Sequence, residues 1–249
     1  MPEVAAVMGT YNRLELLQQS ISSIRRAVGA LSYAVVVVDG GSTDGTRGWL
    51  IEQPDVVAIF QSPPLTGAVK AFNLGFARAV ELGAEWVVVL NDDDELIGPG
   101  PEIELAVQQM RADPVIGAVA FETDLRGGWS YEEWHGRPYA NKGVFRRAAG
   151  MAAARAQGNP EGKRWWSEEW ATYASDTQLG LLLWRLGWTI ERGKGLRVHD
   201  VNPQDELRRH NGKTYAADGT VNIFYARWGS KDAADYDPDF AAKHGGLVR

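Results

Sequence analysis

Short apolar runs alternate with helix-spaced apolar residues through the first half of this chain, and few folds accept that pattern. Val4 to Met8, Ala34 to Val38, Val56 to Phe60 and Trp86 to Leu90 are too short and too uniformly apolar for surface helices. Runs of this kind are strands buried on both faces, as in a parallel sheet. Between them Leu14, Leu17, Ile21 and Ile24 recur at helical spacing, as do Ala68, Ala71, Phe72, Phe76 and Ala79. Thr10-Tyr11-Asn12 reads as a turn and helix cap, and Asp39 to Gly45 as a glycine-rich loop before a helix ending near Gln53. Pro63-Pro64 interrupts the chain, Pro101 opens a helix to Ala112, and Val115 to Phe121 is a fifth strand. The expectation is an α/β fold: a Rossmann-like, mostly parallel sheet with helices on both faces.

Three aspartates, Asp92-Asp93-Asp94, follow the fourth strand. Clustered carboxylates repel unless a cation joins them, and Mg²⁺ or Mn²⁺ on oxygen ligands, shared with a phosphorylated ligand, is the usual partner. Thr10, Tyr11 and Asp39 also fall just after strands, so a parallel sheet brings them to the same crevice. Asp39 can accept hydrogen bonds from a ribose or a base. The alternative is that it shapes its turn and that Asp44 caps a helix.

The second half changes character. It is rich in aromatics, glycine and charge from Gly127 onwards, and five of the ten tryptophans lie between Trp129 and Trp170. Asp176 to Leu186 reads as a helix stopped by Gly187, Thr189-Ile190 and Leu196 to Val198 as short strands, and Tyr215 to Trp228 as a late apolar cluster. No linker is evident. We expect one domain over 1–249, whose second half covers the sheet edge.

Net charge is −6 and there is no cysteine. The first argues against general nucleic-acid binding. The second removes disulfides, thiolate metal sites and cysteine nucleophiles. Neither a signal peptide nor a membrane span is legible, so a cytoplasmic location is expected. Oligomeric state is not legible.

Several segments resemble family 2 glycosyltransferases of the A-fold. Thr10-Tyr11-Asn12-Arg13 and Val38-Asp39-Gly40-Gly41-Ser42-Thr43-Asp44-Gly45-Thr46 look like that family's opening. Gly67 to Gly75 is similar to its third motif, and Leu90-Asn91-Asp92-Asp93-Asp94-Glu95-Leu96 resembles its metal motif, as Asn91-x-Asp93 in the form of rhamnosyltransferase-like members or as Asp92-x-Asp94 in the Asp-x-Asp form. Gly143 to Arg147 looks like the acceptor-side segment, and Trp166 to Trp188 parallels the stretch holding the catalytic Glu-Asp pair. The resemblance implies a metal-dependent inverting transfer of a sugar from a nucleotide-diphosphate sugar donor to an acceptor hydroxyl. Residues 1–125 would form the nucleotide-sugar-binding half and 126–249 the acceptor-binding and catalytic half. Thr10, Tyr11, Arg13, Asp39, Gly41, Lys70, Asn73 and Asp92 would then bind the donor. Asp93, Asp94 and His199 would hold Mn²⁺ or Mg²⁺. Asp176 would be the general base, with Glu168 and Glu169 as substitutes.

The chain departs from the pattern at Ser175, Gln178 and Leu182, where a glutamate, an acidic residue and an arginine are usual. Losing the glutamate's charge would lower the Asp176 pKa. Trp129, Trp165 and Trp166 could stack on acceptor sugar faces, although aromatics also fill cores. The rival readings are nucleotidyl transfer on a similar fold, and a non-catalytic sugar-nucleotide or glycan binding module.

Overall fold

The computed structural model describes residues 1–125, 128–134, 136–170, 174–201 and 205–209. The late cluster at 215–228 lies outside the described residues. The strands are β1 (Val4–Thr10), β2 (Tyr33–Asp39), β3 (Val56–Phe60), β4 (Trp86–Val89), β5 (Asp94–Leu96), β6 (Ile116–Leu125), β7 (Gly128–Ser130), β8 (Glu133–Trp134), β9 (Arg137–Pro138), β10 (Gly143–Arg146) and β11 (Thr189–Asp200). The helices are α1 (Leu14–Ala27), α2 (Thr46–Ile51), α3 (Ala68–Glu81), α4 (Glu102–Ala112), α5 (Arg147–Ala156) and α6 (Ser175–Arg185).

Among the described residues, nine strands form one sheet in the order β3-β2-β1-β4-β10-β6-β11-β5, with β7 beside β6. β3, β2, β1, β4, β6 and β11 share a direction, and β10, β5 and β7 run against it. The second half does more than cover an edge. Its strand β10 lies inside the sheet, between β4 and β6. Gly143 permits that insertion: a Cβ there would sit 2.2 Å from the Val119 carbonyl oxygen.

Strand alternation divides the core in two. Ala5 and Val7 of β1 join Phe72 and Phe76 of α3, Ala149 of α5 and Leu179 of α6 on one face. Val4, Ala6 and Met8 join Leu17 and Ile21 of α1 and Val107 of α4 on the other. Helices on both faces fix the strand ends, and the register Thr10↔Asp39 between β1 and β2 sets those two residues side by side at the carboxyl end.

Candidate active site

The loops after β1 and β2 are laced together. Ser42 Oγ accepts the Asn12 N–H at 2.8 Å, and Asn12 Oδ1 accepts the Thr43 N–H at 2.7 Å. Asp44 accepts from Leu14 N at 3.0 Å and from Thr46 N at 3.1 Å, so one carboxylate starts both α1 and α2. Asp39 is fully buried and accepts the Ser42 N–H at 3.0 Å, which turns it toward its own loop. Gly41 beside it has φ of 97°, and Tyr11 is half-buried.

Asp92, Asp93 and Asp94 are not a solvated edge, for each is at most 2% exposed. Burying charge is costly unless it is paired, and here it is. The Arg13 Nη1 donates to Asp92 Oδ1 at 2.8 Å and to Asp93 Oδ2 at 3.3 Å. Its Nε and Nη2 fork onto Asp205 at 2.6 and 2.9 Å. Arg208 reaches Asp93 at 3.0 Å. The buried Lys142 ammonium joins Asp94 at 2.6 Å to Asp200 at 2.8 Å. Burial still dominates two of the acids, pushing Asp92 up to about 6 against the pull of Arg13 and Asp94 up to about 7 against that of Lys142. Among the described residues, five carboxylates thus meet three cations, leaving two negative charges when all are ionised.

Asp93, Asp94 and Asp200 each bring an oxygen within 4.8 Å of the others'. His199 is not in that group. Successive strand residues face opposite ways, and its Nδ1 bonds the Asp124 carboxylate instead. Asp200, its neighbour in sequence, takes the place expected for it. Asp200 Oδ1 is buried with no hydrogen-bond partner, and Asp92 Oδ2 has at most the Thr10 hydroxyl beside it. A partnerless buried acceptor in an all-oxygen set suits a hard divalent ion, so these residues fit Mg²⁺ or Mn²⁺.

Other expected site residues serve packing. Asn73 is buried, and its amide grips both backbone polar groups of Trp166, at 3.0 and 2.9 Å, so its polar atoms face that segment and not a nucleotide. Trp165 has no exposed surface and stacks on Phe76 with ring centroids 4.8 Å apart. Trp166 packs on Phe72 at 4.3 Å. Neither offers a face to a sugar, because both close the gap between α3 and the later chain. Trp129 is 38% exposed with the Arg197 guanidinium 4.9 Å over its ring. Lys70 is exposed on α3. Glu168 and Glu169 are exposed, Glu168 accepting from Asn73 at 3.3 Å.

Asp176 is half-buried in the first turn of α6, where its Oδ1 accepts the Thr177 N–H at 2.8 Å. Burial holds its carboxyl above the ordinary aspartate range, and the charge of Glu132 adds to this. The departures from the family pattern have structural uses. Ser175 Oγ donates to the Ser167 carbonyl at 3.0 Å. Buried Gln178 accepts from Trp170 Nε1 and donates to Gln157, both at 3.0 Å, a double role closed to a carboxylate. Leu182 lies in the core.

Lys142, Asp205 and Arg208 were not legible as site residues. Single charged residues carry no local sign that folding will bury or pair them. Asp200 was within reach, since strand alternation makes His199 and Asp200 alternatives.

Residues 5–171 match the family model Glycosyl transferase family 2. The chain belongs to that family. It is a glycosyltransferase, and nucleotidyl transfer and the non-catalytic module are set aside. No curated protein sequence matches it. Among solved structures it is similar to mannosyltransferase PcManGT from Pyrobaculum calidifontis in complex with GDP-Man and Mn²⁺, with a TM-score of 0.62 and 19% identity over 98% of this chain and 69% of that one. It is also similar to S. aureus TarS, with a TM-score of 0.61 and 14% identity over 90% of this chain. It spans only 44% of the TarS chain. TarS 1-349 in complex with UDP-GlcNAc gives a TM-score of 0.58 at 13% identity, over 83% of this chain and 60% of that one. At these identities the likeness is one of fold, and that fold is the glycosyltransferase A-fold expected from the sequence. Among the described residues, no helix is long and apolar enough to cross a membrane.

Proposed function

We propose that the family 2 chain is a metal-dependent inverting glycosyltransferase, moving a hexose or deoxyhexose from a nucleotide-diphosphate sugar to an acceptor hydroxyl. The observation that carries this reading is the oxygen cluster of Asp93, Asp94 and Asp200 at the strand ends of a family 2 fold, set among five carboxylates that meet three cations within the described residues. Those three residues would hold Mn²⁺ or Mg²⁺, which when bound supplies Lewis-acid stabilisation of the leaving diphosphate. Arg13 fixes Asp92 and Asp93 from one side and Lys142 fixes Asp94 and Asp200 from the other, so the oxygens are oriented before any ligand arrives. Thr10, Tyr11, Asp39 and Gly41 form the nucleoside end of the crevice. Asp176 takes the proton from the acceptor hydroxyl as that oxygen attacks the anomeric carbon. One such displacement inverts the centre, and the protein's contribution is mainly position and charge. Trp129 is the exposed aromatic left for acceptor stacking. One domain divided into donor and acceptor halves is part of the same proposal.

Nucleoside diphosphate release from a panel of GDP- and UDP-sugars, with sugars and sugar-lipids as acceptors, tests it. Release that requires Mn²⁺ or Mg²⁺ and stops in chelator is expected. Equal release in chelator removes the metal from the account.

A further inference from the structure

The chain lacks the glutamate that family 2 enzymes pair with the aspartate of α6, and Ser175 in its place is buried with its hydroxyl spent on the Ser167 carbonyl. Glu132 and Tyr139 flank the β8–β9 hairpin, whose register pairs Glu133 with Pro138. They are tied twice: the Tyr139 N–H donates to the Glu132 carbonyl at 3.2 Å, and the Tyr139 hydroxyl donates to Glu132 Oε2 at 2.6 Å.

The hairpin is also locked to α6. Tyr139 is 7% exposed and lies so close to Gly180 that a Cβ there would be 2.4 Å from the Tyr139 Cβ. Trp184 Nε1 on the same helix donates to the Pro138 carbonyl at 2.9 Å. Gly180 and Asp176 are four residues apart, hence on one face of α6. The surface that seats Tyr139 is therefore the surface that carries Asp176, one turn nearer the helix N-terminus.

We propose that Glu132, held by Tyr139, is the positioning residue that stands in for the missing glutamate beside Asp176. This rests on the reading of Asp176 as the base. Among the described residues of the hairpin, Glu132 and the Tyr139 phenol act electrostatically with Asp176. Burial and the two acids hold that phenol protonated far above its ordinary range, so it stays a donor to Glu132 and anchors that side chain to the hairpin. A neighbouring negative charge makes the ionised aspartate a stronger proton acceptor. That is the contribution a glutamate at 175 would have made.

The test is a carbon-13 NMR titration of the full-length protein labelled at the aspartate carboxyls, with Asp176→Asn identifying the resonance. E132Q keeps an acceptor for the Tyr139 hydroxyl and removes only the charge, so it preserves the fold. The Asp176 titration midpoint should fall by about one pH unit in E132Q. It should stay near wild type in E132D, which keeps the charge, and fall part of the way in Y139F, which frees Glu132. An unmoved midpoint in E132Q overturns the proposal and leaves the base assignment standing. Full turnover in Asp176→Asn overturns the base assignment, on which the role of Glu132 depends, whatever the titration shows.

Discussion

At the scale of single residues the site is held by Arg13. Its guanidinium meets Asp92, Asp93 and Asp205 and is itself buried. Among the described residues, Arg13→Ala would leave Asp92 without a cation and Asp93 with Arg208 alone. Breaking a buried pair costs about 3–5 kcal/mol. The melting temperature of the metal-free protein should drop accordingly, and Mn²⁺ should restore part of the loss, which differential scanning calorimetry would read. A melting temperature equal to wild type would mean that the pairing carries no stability. Asp176 gives a kinetic prediction. Asp176→Asn cannot accept a proton, so turnover should fall about 10²–10⁴-fold with donor binding unchanged. The wild-type rate has a defined pH sense as well. A base works ionised, and the Asp176 carboxyl is held above the ordinary aspartate value, so activity should be lost on acidification at a pH above that value. A rate that is flat through that range would place the base elsewhere.

At the scale of elements, the close fit of β10 into the sheet is the most demanding step. Gly143→Ala would drive a methyl against the Val119 carbonyl. We expect a loss of about 1–3 kcal/mol or failure to fold, read by urea unfolding. The sequence explains why some elements were legible and others were not. β1, β2 and β4 announce themselves because strands buried on both faces read as continuous apolar runs, and the edge strand β3 is as apolar though only half-buried. β5 is Asp94-Glu95-Leu96 and β10 is four residues opened by a glycine, so neither has a signature of its own. β11 reads as two strands because Gly193-Lys194-Gly195 interrupts it, and the register does shift there, between Arg192 and Arg197. In the site, the motif loops were legible because their chemistry is local. The Trp165–Phe76 stack and the Asn73 grip on Trp166 join α3 to chain some ninety residues later, and no spacing rule reaches across that distance. Trp129→Ala should therefore raise the acceptor KM and leave the melting temperature unchanged. Trp165→Ala should instead lower stability by about 3–5 kcal/mol.

At the scale of the whole molecule, the sheet gathers its acids at one crevice while the two cores stay apolar. Among the described residues, the carboxylates gathered there carry more charge than the cations bonded to them offset. That imbalance is a standing cost to stability, and in the proposed account the bound divalent ion and the donor's phosphates relieve it together. Metal and nucleotide should thus bind cooperatively, each raising the affinity for the other by the same factor. Calorimetric titration of GDP and UDP into the protein, with and without Mn²⁺, measures that coupling directly. The account predicts that at least one of the two binds at least tenfold more tightly with Mn²⁺ present, and that Asp93→Asn abolishes the difference. Equal affinity in Mn²⁺ and in chelator would contradict it.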